Sequence, residues 1–361
     1  MKILIYGLGL IGGSLGKSLK SNKQNIQICG YDVDKNTLQY AIDNHIVDEI
    51  IDLESSIEDI DIVFIASPLK SYENIFKWLR NKKTKADIII TDLGSVKSKA
   101  HKLFESIFQN ERTFIGGHPM AGSDKSGIKN STGSLFENAV YFLTNPNIHI
   151  KDLEFQYEKL ESIIKLTKAK ILRIDSQKHD KIVSKVSHIP HIMASILVNS
   201  VDDNECIDYV GTGFKDTTRI ASGNPELWTD IIMSNSHEIV ENIDVLIDGL
   251  QNMKSNIQRK KEDQIRYELD KSKKLRAEIP KHLKDNISPL YDIIIDVKDR
   301  PGVLGEVTTL LGIVNVNIKQ IEILNSREGY HGALRLCFED IENLNKGVKA
   351  LEFADFKFDI C

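Results

Sequence analysis

The amino-acid sequence predicts a doubly wound α/β parallel sheet, then an all-helical domain, then a small βαββαβ unit. Three observations carry that expectation. Up to about residue 145, short β-branched runs alternate with stretches of helical periodicity, the pattern of parallel strands joined by crossover helices. From residue 151 to 284 strand-like runs thin out and long periodic segments take over. Over the last ~70 residues strand and helix signals recur in the order βαββαβ, the ferredoxin-like plan.

The elements follow in order. Lys2–Tyr6, Ile26–Tyr31, Ile62–Ala66, Ile88–Thr91 and Thr113–Gly116 read as buried strands. Leu153–Lys168, His179–Val201 and Glu226–Ile257 read as long helices, and 255–284, dense in both charges, as a solvated connector with a boundary near Pro280. In the last part Tyr291–Val297, Ile318–Leu324, Gly332–Phe338 and Phe356–Ile360 read as strands, with helices over Pro301–Val314 and Ile341–Leu351. The expected domains are therefore 1–150, 151–284 and 290–361. A chain of 361 residues suits such a division, since domains run to roughly 100–200 residues.

Composition excludes several classes of function. With 47 Lys and Arg against 52 Asp and Glu, the net charge of -5 leaves no basic excess for a phosphate backbone, so a nucleic-acid partner is not expected. The apolar run Ile3–Tyr6 is cut by glycines and no apolar stretch approaches the ~20 residues of a spanning helix, so neither a leader nor a membrane segment is expected. Cys29, Cys206, Cys337 and Cys361 lie far apart, without zinc-ligand spacing, which points to a reducing cytoplasm and no metal.

Directly after the first strand stands Gly7-Leu8-Gly9-Leu10-Ile11-Gly12, opening a helix, and Asp32 ends the next strand, 20 residues beyond Gly12. That context makes G-x-G-x-x-G a Rossmann-type dinucleotide turn. Gly7 allows the tight turn, Gly9 lets the pyrophosphate approach, Gly12 lets helix and strand pack closely, and Asp32 meets the adenosine ribose. A carboxylate there repels a 2′-phosphate and Val33 supplies no Arg, so NAD is expected over NADP, with Lys35 the residue that argues the other way. An ordinary turn in an unliganded sheet is the alternative.

Two further loops follow later strands: Asp92-Leu93-Gly94-Ser95-Val96-Lys97, and Gly116-Gly117-His118-Pro119-Met120-Ala121-Gly122-Ser123. Ligands of open α/β sheets bind beyond the carboxyl ends of the strands, so His118, on a strand-end loop, is a candidate acid–base for proton transfer near neutral pH. In the helical part, Ser187-His188-Ile189-Pro190-His191 sets two histidines at i, i+3 where proline kinks the helix. Half a metal site is one reading of that pair; no acidic residue completes it, and His191 reads as a satisfied structural histidine. Lys215 and Arg219 fall on one helical face, which suits an anionic substrate, although an ordinary surface ion pair reads the same in sequence.

Five stretches in order, Gly-Leu-Gly-Leu-Ile-Gly-Gly-Ser at 7–14, Asp-Leu-Gly-Ser-Val-Lys at 92–97, Gly-His-Pro-Met-Ala-Gly at 117–122, Ser-His-Ile-Pro-His at 187–191 and Gly-Phe-Lys-Asp-Thr-Thr-Arg-Ile-Ala at 213–221, make the chain resemble the prephenate dehydrogenase family over essentially its whole length. The C-terminal unit, with Asp299-Arg300-Pro301-Gly302-Val303-Leu304 after its first strand, resembles an ACT domain, an amino-acid-binding regulatory module. The resemblance implies NAD-dependent oxidative decarboxylation of prephenate to 4-hydroxyphenylpyruvate in tyrosine biosynthesis. It implies His118 as the catalytic histidine on the substrate hydroxyl, and Ser95 as a bridge between hydroxyl, histidine and nicotinamide. Arg219 would anchor a substrate carboxylate, His188 line the pocket, Lys215 and Asp216 stand at its entrance, and Ser123 and Asp124 lie at its mouth. Ser67 joins Leu8, Leu10, Ile11 and the three glycines at the cofactor. Asp124 stands where some relatives carry Glu, and Thr212 where Gly is common.

Tyrosine as inhibitor, either competing in the active site or binding the ACT unit where Gly302 and Asn317 flank the family's effector position, and a homodimer through the helical domain complete the expectations; the ACT unit could equally take another amino acid or only a partner ACT unit, and Pro301-Gly302 also reads as a plain helix start. Three alternatives remain at this point. Arogenate dehydrogenase differs in an ammonium that Asp124 would favour; a 2-hydroxy-acid or imine reductase would not need both Arg219 and His118; a non-enzymatic amino-acid sensor would not keep Gly7, Gly9, Gly12 and His118 intact.

Overall fold

The structure is a computed structural model that describes residues 1–22, 25–109, 111–123, 125–144, 153–201, 204–278, 291–298, 300–324 and 331–360. Asp124, Pro280 and Asp299 lie outside the described residues. The chain forms two units, 1–279 and 280–361.

In the first unit, strands β1 (Lys2–Tyr6), β2 (Gln27–Tyr31), β3 (Glu49–Ile50), β4 (Ile62–Ile65), β5 (Ile89–Asp92), β6 (Phe114–Pro119), β7 (Val140–Thr144) and β8 (Lys170–Ile174) make one sheet in the order β3-β2-β1-β4-β5-β6-β7-β8. The sheet is covered on both faces, which is why its strands read as near-continuous apolar runs. Successive side chains along β1 alternate between the faces: Ile3 and Ile5 pack with Leu15 and Leu19 of the first helix, while Leu4 packs with Val63, Phe76 and Ile90 on the other side.

Two features depart from the sequence reading. The sheet is not parallel throughout, because β7 runs antiparallel to β6, pairing Gly117 with Leu143 and His118 with Phe142. Pairing with β7 also carries β6 on to Pro119, so His118 is a strand residue, 8% exposed, rather than a loop residue. The second departure is β8, a strand inside the stretch expected to be all-helical; Leu153–Lys165 is the crossover helix that returns the chain to lay β8 parallel to β7. None of its five residues is buried, which suits an edge strand and lacks the buried run that marks a central one.

Beyond β8 the chain is helical. Ser176–Val183 runs through a π-helical turn, Ser184–His188, into Ile189–Asn199, so the kink expected at Pro190 takes the form of a π-bulge immediately before the proline, the wider turn accommodating the residue that has no N–H to donate. Further helices span Thr212–Thr218, Pro225–Ser234, Ser236–Gln258 and Glu262–Glu278. The long helix expected over 226–257 is broken at Asn235, whose backbone leaves the helical region (φ -118°, ψ 29°). Ile196, Val240, Val245, Leu250 and Tyr267 are each more than half exposed on this chain. Among the described residues no helix is long and apolar enough to cross a membrane.

The second unit is an antiparallel sheet in the order β10-β11-β9-β12, from β9 (Tyr291–Lys298), β10 (Gln320–Leu324), β11 (His331–Phe338) and β12 (Lys357–Ile360), with helices Val303–Ile313 and Ile341–Phe353. Its core joins Ile293, Ile295, Val307, Leu311, Leu336 and Phe338. Gly302 (φ +90°) opens the first helix in the left-handed region, a conformation that favours glycine.

Candidate active site

The glycine turn lies between β1 and the helix Leu10–Ser21, at the carboxyl edge of the sheet. Gly7 has φ +100°, and a Cβ there would stand 2.7 Å from both Ala66 O and Ser67 Oγ; one on Gly12 would stand 1.9 Å from Gly7 O. Both positions therefore exclude a side chain for internal reasons. Gly9 is different: nothing lies within 4 Å of a Cβ built there. No side chain caps the helix that follows, so its first N–H groups face outward as an anion-binding end. Asp32 accepts from Leu8 N at 2.7 Å and from Asp34 N at 3.0 Å, which binds the end of β2 to the turn. Ser67 donates to Tyr6 O at 3.3 Å beside Gly7. An open cradle at Gly9, an uncapped helix end and a braced carboxylate are what a dinucleotide requires, so these residues fit NAD.

Across the sheet edge, β5 and β6 carry a buried polar assembly. Asp92 and Lys97 are both fully buried and paired. Asp92 also accepts from Gly117 N (2.9 Å), Gly94 N (3.1 Å) and Tyr72 Oη (2.7 Å), and Lys97 Nζ donates to Gly117 O at 2.7 Å. Both backbone groups of the residue before His118 are thus tied to one ion pair. Burial pushes the Lys97 ammonium down from its usual range and Asp92 opposes that shift.

His118 Nδ1 lies 2.8 Å from His179 Nε2, and His179 Nδ1 lies 2.8 Å from Asp180 Oδ1. Asp180 further accepts from Lys97 N and Ser98 N, each at 2.8 Å. The protons follow from this order. A carboxylate only accepts, so His179 carries its hydrogen on Nδ1; its Nε2 then accepts from His118 Nδ1–H, which leaves a lone pair on His118 Nε2. Among the described residues His118 Nε2 has no partner. Burial, then the neighbouring His179, lowers the His118 pKa well below the ordinary histidine value, so the ring is neutral at pH 7. Burial likewise lowers His179, partly offset by Asp180. Burial would raise Asp180, but the His179 and backbone hydrogen bonds outweigh it and hold the carboxyl below its usual range.

His188 is 1% exposed, and burial pushes it down to about 4. Its Nδ1 lies 3.2 Å from Asn235 Nδ2. Ser95, on the loop after β5, is half-buried. Lys215, Asp216 and Arg219 are exposed, with Arg219 opening a 3-10 turn, Arg219–Ser222, that continues the helix Thr212–Thr218. Among the described residues no acidic side chain pairs with Lys215 or Arg219. That turn and the helix before it pack against Ile189–Asn199, the helix that follows His188. Ser123 is exposed, its Oγ accepting from Lys125 N at 3.2 Å. No hydrogen bond or ion pair joins Arg219 or Ser123 to His118 among the described residues.

His191, read from the sequence as a structural histidine, has the Ile220 backbone as a hydrogen-bond partner of its ring. Its ring stacks on Trp228 at 3.6 Å and 9°, and its buried Nδ1 has no partner among the described residues. Sequence reasoning missed His179, Asp180, Asn235 and Trp228. An adjacent His-Asp pair at a helix start was the available signal for the first two; spacing along the chain says nothing about the others.

The fold and the glycine turn, with a neutral histidine facing the same sheet edge, define an NAD-linked dehydrogenase with a helical second domain. Comparison with known proteins narrows this. Residues 15–173 match the family described as prephenate dehydrogenase, nucleotide-binding domain, residues 175–271 its dimerization domain, and residues 291–355 the ACT domain. The prephenate dehydrogenase of Lactococcus lactis is 33% identical over 98% of this chain and 98% of its own, and that of Bacillus subtilis is 31% identical over 97% and 95%. A crystal structure of the Aquifex aeolicus prephenate dehydrogenase, in complex with hydroxyphenyl propionate and NAD+, superposes with a TM-score of 0.71 at 31% identity, covering 78% of this chain and 98% of that one. The chain belongs to the prephenate dehydrogenase family.

Proposed function

We propose that His118 is the base of the reaction, taking the substrate hydroxyl proton on Nε2. The chain is an NAD-dependent enzyme of its family, carrying out the oxidative decarboxylation of prephenate. NAD, when bound, supplies the hydride acceptor; Gly7, Gly9, Gly12, Leu8, Leu10, Ile11, Asp32 and Ser67 would hold it. The observation that carries the role of His118 is the hydrogen-bond order His118–His179–Asp180, which leaves a bare nitrogen on a neutral ring. A proton gained at Nε2 creates an imidazolium whose Nδ1–H is already directed at His179 and, through it, at the Asp180 carboxylate, so the charge forms in an oriented field. Once the hydroxyl proton has gone to His118 Nε2 and the hydride of the same carbon to the bound acceptor, the new ring carbonyl would be vinylogous to the carbon bearing the carboxylate; carbon dioxide would then depart, its bonding pair making the ring aromatic, and the resulting phenolate oxygen would take up a proton.

Ser95, on the loop between Asp92 and Lys97, is suited to bridging hydroxyl and cofactor. Arg219 and Lys215, unpaired among the described residues, supply cations for a substrate carboxylate, with Asp216 and Ser123 at the entrance. The apolar residues left exposed on the helices of 189–278 support a homodimer through that domain. The ACT unit supports regulation by a small molecule, and tyrosine, the amino acid downstream of this reaction, is the effector we assign to it.

The test is NAD reduction followed with prephenate and with arogenate, each repeated with NADP. Prephenate with NAD should give the highest kcat/KM; a preference for arogenate would move the assignment to the amino-bearing substrate. Tyrosine should inhibit the intact chain.

A further inference from the structure

We propose that Asn235 is a positioning residue that fixes His188 as a hydrogen-bond donor toward the substrate. The inference rests on the reading of the active site given above. The Asn235 side-chain amide has two N–H groups, and both are directed. One donates to the backbone carbonyl of Asp180 at 2.9 Å, an oxygen that can only accept; the other meets His188 Nδ1 at 3.2 Å. An imidazole nitrogen that accepts a hydrogen bond carries no hydrogen, so the neutral ring bears its hydrogen on Nε2. Among the described residues His188 Nε2 has no partner. Asn235 is itself 5% exposed and stands at the break between the helices Pro225–Ser234 and Ser236–Gln258, where the backbone turn carries its side chain inward instead of along a helical surface.

Set beside His118, the result is two buried neutral rings of opposite polarity. His179 takes the Nδ1 hydrogen of His118 and leaves an acceptor; Asn235 fills Nδ1 of His188 and leaves a donor. Both devices are anchored on Asp180, one through its carboxylate and the other through its carbonyl. A substrate with two carboxylates and a hydroxyl has acceptor oxygens in excess. A bare nitrogen at 188 would repel them, whereas an N–H binds one, and it does so in the ground state as well as during reaction.

The effect should therefore fall on substrate binding. Asn235→Ala should raise KM for prephenate roughly tenfold or more, the worth of a hydrogen bond to a charged group, with kcat changed far less and KM for NAD unchanged. Asn235→Asp, which would draw the ring hydrogen to Nδ1, should be worse than Asn235→Ala. Imidazole nitrogen shifts in protein labelled with 15N-histidine, assigned by the signals lost in His188→Asn, read the tautomer in the unaltered enzyme: the Nε2–H form is expected at pH 7. A His188 signal of the Nδ1–H form would overturn the proposal, as would a folded Asn235→Ala enzyme with unaltered KM for prephenate. Failure of the unaltered enzyme to oxidise prephenate would instead refute the substrate reading, and the spectrum would still decide the tautomer.

Discussion

His118 and His179 meet nitrogen to nitrogen at 2.8 Å, with the second ring completely buried and its far side on Asp180. Two imidazoles in this contact share one hydrogen, and the carboxylate decides which of them supplies it. His118→Asn should keep substrate binding and lose ~10²–10⁴-fold in kcat. His179→Ala should lower kcat with little change in KM, and the double variant should be no slower than His118→Asn, because the two act as one unit. Additive losses in steady-state kinetics would separate them.

Arg219→Gln should raise KM for prephenate while leaving kcat largely intact, since an anchor acts before and during the reaction. The residue is exposed and unpaired among the described residues, so thermal stability should move by no more than about 0.5 kcal/mol. An unchanged KM would shift the anchoring role to Lys215.

Glycines of the turn should separate into two kinds. Gly9→Ala has room in the fold and should unfold at the temperature of the unaltered chain, yet bind NAD weakly, because its methyl group occupies space the pyrophosphate needs. Gly12→Ala meets Gly7 O and should cost about 1–3 kcal/mol even without cofactor. Unfolding curves measured with and without NAD distinguish these outcomes.

Lys97→Met should be among the most destabilising single changes in the molecule, at about 3–5 kcal/mol in urea unfolding, because it leaves the Asp92 carboxylate buried without its cation. It should also slow turnover, since the same pair holds both backbone groups of Gly117 beside His118. A variant as stable as the unaltered chain would mean that Asp92 takes up a proton at no cost.

Acid should weaken the fold through its histidines. His101, 5% exposed, is pushed down to about 4 by burial and then by Lys97, and His188 to about 4 by burial. A folded value below the unfolded one means that the unfolded chain binds more protons between about pH 4 and 6.5, so stability falls as pH drops through that window. Each of the two contributes about 1.4 kcal/mol per pH unit within it. His118 and His179 act in the same direction, and Asp180, held low, keeps its own contribution until more acid pH. Flat stability from pH 7 to 5 would contradict this burial.

Much of the site was written locally. Gly7, Gly9, Gly12 and Asp32 are readable because a turn and the strand beside it are built from neighbouring residues, and their spacing is the geometry. His118 is readable because the strand before it is. The strands β7 and β8 were not read, since one pairs antiparallel against expectation and the other is a half-exposed edge without a buried run. The partner of His118 lies 61 residues further along the chain, and that of His188 lies 47 away. The sequence by itself determined the dinucleotide turn and the residue types that do the chemistry; tertiary structure alone decided the tautomers. A histidine's hydrogen goes to whichever nitrogen lacks a donor opposite, and that is settled by what folding brings within 3 Å, not by what stands beside it in the chain.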